Sequence, residues 1–264
     1  MQLTLDSPAV KHQFYRTSPE KKQEIERQVK ILMKNGIVQC STSDWLSPVI
    51  LVKKADNTWS LVIDYRGLNK LIKPVYFPLP RHEDVIDALG QKQASIFTTL
   101  DLAQAFLQTQ LGPATKHQTG FITHHGVFQF STTPYGLSNS PASFGIVMSW
   151  VLHEFINVFA LVYADDILMY SNDFDTHIDH LQQIFDKLRA ANLTLKPSEC
   201  IFGADKVNFL GHVFSKDGVA PNPDKTKAVD TFPRPTNPTQ IKAYLDSANT
   251  TENSSKTLPK YAHH

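Results

Sequence analysis

Apolar positions along the chain switch several times between helical and strand spacing. Ser18-Pro19-Glu20 sets a capping hydroxyl before a proline at the first helical position. Ile25, Val29, Leu32 and Met33 then recur at helical spacing, and Gly36 ends the run. The segment VILVKKADNTWSLVIDYR reads as two strands around a polar turn at Ala55-Asp56-Asn57. Residues 80–90 predict a short helix. SIFTTLDL (95–102) is a β-rich apolar run ending in a carboxylate, and VFQFSTTPYG (127–136) is a strand entering a turn. Asn139-Ser140-Pro141 caps a helix expected to reach about Ile156. VFALVYADDILMYS (158–171) is two apolar runs broken only by Ala-Asp-Asp. Asp175 or Thr176 is expected to open the next helix, with Ile178, Leu181, Ile184, Phe185 and Leu188 on its apolar face. That face leaves the HIDH segment (177–180) exposed, and its use as a pair of metal-binding imidazoles is discounted. KVNFLGHVFSKDGVAP (206–221) predicts a second hairpin, turning at Asp217-Gly218. Two shorter helices follow, the second from near Pro238, and 249–264 reads as a disordered tail. Helices segregated to one face of an antiparallel sheet make the expected class α+β.

Composition changes this picture little. The chain has 264 residues, 41% of them hydrophobic, enough for a sizeable core. Its 26 basic and 25 acidic residues nearly cancel, which does not mark a strong duplex binder. The distribution says more. Lys53–Lys73 holds Lys53, Lys54, Arg66, Lys70 and Lys73 against Asp56 and Asp64, whereas Trp150–His180 holds six acidic residues and no Lys or Arg. On charge alone, ordinary surface scatter is the better explanation of such blocks. Two cysteines suggest no disulfide framework, which fits an intracellular, cytoplasmic or nuclear setting. No apolar run approaches the ~20 residues that span a bilayer.

The sharpest chemical signal is Tyr163-Ala164-Asp165-Asp166. Adjacent carboxylates between apolar strands are costly when buried bare and tolerable where hard cations neutralise them. Mg²⁺ (or Mn²⁺) takes oxygen ligands, and two ions ~4 Å apart serve in-line displacement at phosphorus. Asp101, at the end of its own strand, is the candidate third carboxylate. Taken alone, Asp-Asp reads better as a polar hairpin turn.

WLSPVILVKK, IDYRGLNK, TLDLAQAF, YGLSNSPASF, YADDILMYS and FLGHVFSKDGV stand in an order and spacing that resemble the reverse transcriptases of gypsy-class long-terminal-repeat retrotransposons. The resemblance runs from about Tyr15 to about Asn249. It implies a fingers-and-palm polymerase fold whose palm has an antiparallel sheet backed by helices. The implied divisions are an N-terminal extension (1–17), fingers with part of the palm (18–95), and palm (96–220). The palm would include a fingers insertion near 110–135 and a primer-holding hairpin at 206–221. The start of a thumb or connection (221–248) and the tail (249–264) would follow. Asp101, Asp165 and Asp166 fall on the family's catalytic, metal-binding aspartates. Lys53, Asp64 and Arg66 fall where the fingers hairpin meets nucleotide and template. Phe106 matches the residue lying under the sugar, and Tyr135 and Gly136 the turn lining the nucleotide pocket. Phe209, Leu210, Gly211 and His212 match the primer-holding turn. The implied ligands are a primed RNA or DNA template, deoxynucleoside triphosphates and two Mg²⁺ or Mn²⁺ ions, with no membrane.

Three positions depart from the family pattern. Ser60 stands where an arginine usually grips the triphosphate. Glu199 stands where a lysine usually protonates the leaving pyrophosphate, and Lys196 is the candidate substitute general acid. Ala164 replaces a larger residue. The pattern of later polyprotein domains dissolves after Leu245, so a fragment or shortened relic is expected. Two readings stay open: a working RNA- and DNA-directed DNA polymerase, or a catalytically impaired remnant that binds nucleic acid. A palm-fold nucleotide cyclase is a third, disfavoured by the fingers hairpin and the Pro-Tyr-Gly turn.

Overall fold

The computed structural model describes residues 8–54, 56–77, 94–223, 237 and 240. The helix expected at 80–90, the elements expected beyond 223 and the tail lie outside these residues. The chain divides into two compact units, one from Met1–Phe77 and Gln104–Val147, the other from Pro78–Ala103 and Met148–His264.

The first unit opens with α1 (Pro19–Lys34), which has Ser18 at its N-cap position and Pro19 at its first turn. Ile25 and Val29 are its buried residues, while Met33 is exposed. Gly36 follows at φ +70°, the left-handed conformation that glycine adopts without a Cβ clash. Beside α1 lies a five-stranded sheet of order β1-β6-β5-β2-β3, in which β1 is Val38–Cys40, β2 Ser47–Lys53, β3 Trp59–Ile63, β5 Phe121–Thr123 and β6 Gly126–Phe130. Every pairing is antiparallel except β2 with β5. The β2–β3 hairpin pairs Lys53 with Trp59, so its loop is the expected polar turn, with Asn57 at φ +66°. Short helices α2 (Arg66–Asn69) and α3 (Pro113–Lys116) complete the unit with the first part of α4 (Ser140–Val151). Tyr65, Leu68, Phe121, Phe128 and Phe130 form the centre of its core. Burying each such aromatic or leucine side chain contributes about 1.5–3 kcal/mol. The α-helical part of α4 ends at Val151, five residues short of expectation. Turns carry the chain on to Asn157, whose φ of +64° reverses it into β7.

The second unit is built on an antiparallel sheet of order β7-β8-β4-β9, with β4 Ile96–Asp101, β7 Ala160–Tyr163, β8 Asp166–Ser171 and β9 Ile201–Ala204. Side chains alternate across its faces. Thr98 and Leu100 share one face with their partners Met169 and Ile167. This face meets α5 (Phe174–Ala190), whose Ile184 and Leu188 are buried. On the other face Phe97, Leu168 and Tyr170 pack with Val207, Phe209 and Phe214. Two expectations about α5, its cap and its buried face, need correction. Asp173 caps α5, accepting from the backbone N–H of Thr176 at 2.9 Å and its hydroxyl at 2.8 Å. The helix is also rotated from the expected face. His177 is fully buried and Ile178 is 47% exposed.

His177 is buried because it has polar partners. The backbone N–H of Gly203 donates to Thr98 Oγ1 at 3.0 Å, and Thr98 Oγ1 lies 2.8 Å from His177 Nε2. His177 Nδ1 lies 2.9 Å from Ser171 Oγ, which lies 2.8 Å from His180 Nδ1. One proton arrangement satisfies the whole chain: Thr98 donates to Nε2, Nδ1–H to Ser171, and Ser171 to His180. Burial holds both imidazoles below their usual pKa, which keeps them neutral for this pattern. The expected hairpin at 206–221 is instead a three-stranded meander of β10 (Lys206–Phe209), β11 (His212–Ser215) and β12 (Gly218–Pro221). Its extra turn is Leu210-Gly211, both at positive φ.

Candidate active site

The alternation that sends Leu100 and Ile167 toward α5 sends Asp101 and Asp166 to the other face. They are direct partners across the β4–β8 ladder. Tyr163 pairs with Asp166 on the other side, so Ala164 and Asp165 form a two-residue hairpin loop. Ala164 adopts φ +54°, a conformation costing an L-residue roughly 1–2 kcal/mol. The strand ends thus bring three carboxylates to one end of the sheet. Burial, then the charges of Asp165 and Asp101, raise Asp166 to a pKa of about 6. Asp101 is also raised, first by burial, then by the charges of Glu199 and Asp165.

The segment after α5 closes on Asp101. The Lys196 backbone N–H donates to the Asp101 carbonyl at 2.9 Å. Lys196 Nζ forms an ion pair with Glu199. Lys196 and Glu199 both influence Asp101 electrostatically, with opposite signs. Glu199 was flagged in the sequence as a substitution; its capture of the Lys196 ammonium was not legible there.

The remaining residues of interest in the second unit are in the meander. Phe209 and His212 are partners flanking the Leu210-Gly211 turn, and both side chains are buried. What this turn offers to solvent is therefore Leu210 and Gly211.

The other group lies in the first unit. Lys53 is exposed at the end of β2. Asp64 and Arg66 hold each other bidentately, Nε to Oδ1 at 2.9 Å and Nη2 to Oδ2 at 2.7 Å. The arginine keeps the Asp64 carboxyl below its usual pKa, and its own side chain is 82% exposed. Ser60, opposite Val52 in the hairpin, is half-buried. Phe106 sits in a 3₁₀ turn, its ring 5.1 Å from that of Tyr135 and 5.8 Å from that of Phe144. Gly136 has φ +89°. Asn69 pins that turn, donating to the Gly136 carbonyl at 2.8 Å and accepting from the Ser138 N–H at 2.9 Å. Asn69 was not singled out in the sequence; its place after a short helix carries no signal of this clamp.

A family model described as reverse transcriptase (RNA-dependent DNA polymerase) matches residues 52–214. The chain belongs to the reverse transcriptase family. It is 38% identical over 227 residues to a retrovirus-related Pol polyprotein from transposon 297 of Drosophila melanogaster, covering 84% of this chain and 21% of the relative. It is 30% identical over 249 residues to the transposon Tf2-3 polyprotein of Schizosaccharomyces pombe, covering 94% of this chain and 18% of that one. The reverse transcriptase chain thus spans about a fifth of the curated relatives it matches. Among solved structures it resembles the foamy viral protease-reverse transcriptase in complex with RNA/DNA hybrid, with TM-score 0.79, 21% identity, and 94% of this chain and 33% of that chain covered. It also resembles a prototype foamy virus protease-reverse transcriptase mutant, with TM-score 0.68, 30% identity, and 77% of this chain and 27% of that chain covered. The fold is the fingers-and-palm polymerase fold, an α+β arrangement as expected. Among the described residues, no helix is long and apolar enough to cross a membrane.

Proposed function

We propose that this reverse transcriptase chain is an RNA- and DNA-directed DNA polymerase of the gypsy class, adding deoxynucleotides to a primer 3′-hydroxyl. The observation that carries the proposal is the facing pair Asp101 and Asp166 beside Asp165. The donor set fits a hard divalent cation, because it is all carboxylate oxygen. The raised pKa of Asp166 supports the same reading, since positive charge would relieve what burial and two neighbouring carboxylates impose. Asp101, Asp165 and Asp166 would hold two Mg²⁺ or Mn²⁺ ions. When bound, such ions would activate the 3′-hydroxyl and neutralise the phosphates.

The protein's own residues supply the remaining parts. Lys53 is a mobile point charge suited to a triphosphate. The Asp64–Arg66 pair fixes the guanidinium while leaving it exposed toward template or nucleotide. Phe106, held by Tyr135 and Phe144, presents a ring that excludes a 2′-hydroxyl by shape. Tyr135 and Gly136 form the turn beside it. The Phe209-Leu210-Gly211-His212 turn presents a compact surface for a primer end. Binding to a primed RNA or DNA template is supported by likeness to a protein seen with an RNA/DNA hybrid.

A specific observation favours a second reading, an impaired polymerase that retains nucleic-acid binding. Glu199 occupies the ammonium of Lys196, the candidate general acid, and Ser60 lacks an arginine's charge and reach. Loss of general-acid catalysis costs about 10²–10⁴ in rate. Time courses of deoxynucleotide addition on matched RNA and DNA templates, with Mg²⁺ or Mn²⁺, separate the readings. Addition on both supports the polymerase; binding of both without addition supports the impaired form.

A further inference from the structure

The two-residue loop between β5 and β6 is His124-His125, closed by the Thr123–Gly126 pair. Thr123 Oγ1 steadies it, accepting from the His125 N–H at 3.1 Å and donating to the Gly126 carbonyl at 3.2 Å. A tight loop of two consecutive histidines places both rings beside one another, with centroids 4.3 Å apart. α1 meets this loop through Glu26. His125 Nε2 lies 2.8 Å from Glu26 Oε2, and Lys30 Nζ holds the other oxygen at 2.6 Å. One ligand atom from each of Glu26, His124 and His125 lies within 4.8 Å of the other two. This is the one such group of metal-ligating side chains found among the described residues. It belongs wholly to the first unit and shares no residue with the three aspartates.

We propose that Glu26, His124 and His125 form a binding site for a divalent transition-metal ion, with Zn²⁺ as the chemical type. Two imidazoles and one carboxylate are a donor set that suits Zn²⁺ and its neighbours, whereas Mg²⁺ wants oxygen alone. Three protein ligands leave a fourth tetrahedral position for water, which the exposure of His125 allows. The competitor is Lys30, whose ammonium occupies Glu26 until metal displaces it. Bound metal would tie α1 to the β5–β6 loop and stabilise the fold by mass action.

The test is calorimetric titration of Zn²⁺ into the full chain in excess Mg²⁺, repeated with Co²⁺ and read by visible absorption. The expected result is one Zn²⁺ equivalent, with Co²⁺ bands of nitrogen ligation, retained in Asp165→Asn. His124→Ala and Glu26→Gln should each weaken it by about tenfold or more. Lys30→Met leaves all three ligands in place and should tighten it, so the reading does not depend on ligand variants folding well. Unchanged affinity in His124→Ala would overturn the proposal. So would loss of the equivalent in Asp165→Asn, or Lys30→Met binding no tighter than the parent.

Discussion

The Lys196 ammonium is paired with the Glu199 carboxylate, a contact that competes with its proposed role as proton donor to a departing pyrophosphate. Glu199→Gln removes the trap without removing the candidate acid. Its kcat for nucleotide addition should rise about tenfold, measured by single-turnover kinetics. A fall would mean that Glu199 itself assists. Phe106 makes a second prediction at this scale. Its ring is held on two sides by Tyr135 and Phe144, so Phe106→Ala should open space at the sugar. Ribonucleotide incorporation relative to deoxynucleotide should rise about tenfold or more, and unchanged selectivity would remove Phe106 from that role. Asp166 makes a third. Burial and the charges of Asp165 and Asp101 push its carboxyl up to about 6 in the fold, from an ordinary value of 3.8. Between those values the folded state binds more protons than the unfolded chain, so this group's contribution to stability falls as pH rises through that window. Without divalent cation, Asp166→Asn should therefore gain melting temperature over the parent from about pH 4 to about pH 7. A difference that is flat with pH would contradict the shift. At this scale the three aspartates were singled out in the sequence by their place in the family resemblance, since type and spacing alone favoured a polar turn. The direct pairing of Asp101 with Asp166 was not, because strand register depends on contacts far apart in the chain.

At the scale of elements, legibility followed how local the determining signal was. α1, the β2–β3 hairpin and β4 carry caps, turns and apolar runs within a few residues, and each appears close to its expected bounds. The rotation of α5 was hidden because its buried face includes a histidine, whose burial depends on Thr98 and Ser171 from two different strands. Hydrophobic spacing alone reads Ile178 as core and His177 as surface, the reverse of what polar partners impose. Residue patterning alone missed the meander because the Leu210-Gly211 turn lacks the usual Asn-Gly or Asp-Gly chemistry; only the family resemblance marked a turn there. The histidine chain makes its own prediction. His177→Ala leaves the Thr98 and Ser171 hydroxyls without their buried partner, at a cost of roughly 2–4 kcal/mol. Urea titration should show a lowered midpoint, and an unchanged one would mean that water fills the gap.

For the whole molecule, near-neutral charge leaves the proposed nucleic-acid binding to local groups. Four of the five basic residues between Lys53 and Lys73 have no carboxylate ion pair among the described residues; Arg66 is held by Asp64. About four phosphate contacts imply a slope near −4 in log affinity against log salt, measurable by fluorescence anisotropy on a primed template. Membership of the family was legible because six short motifs stand in register. The state of the chemistry was less so, since it turns on single contacts such as Lys196 with Glu199. The most direct test of the central claim is primer extension on poly(rA) with oligo(dT), in Mg²⁺ or Mn²⁺, comparing the parent with Asp165→Asn. Both proteins should bind the primed template equally by anisotropy. The account predicts extension by the parent and none by the variant; extension by both, or by neither, would contradict it.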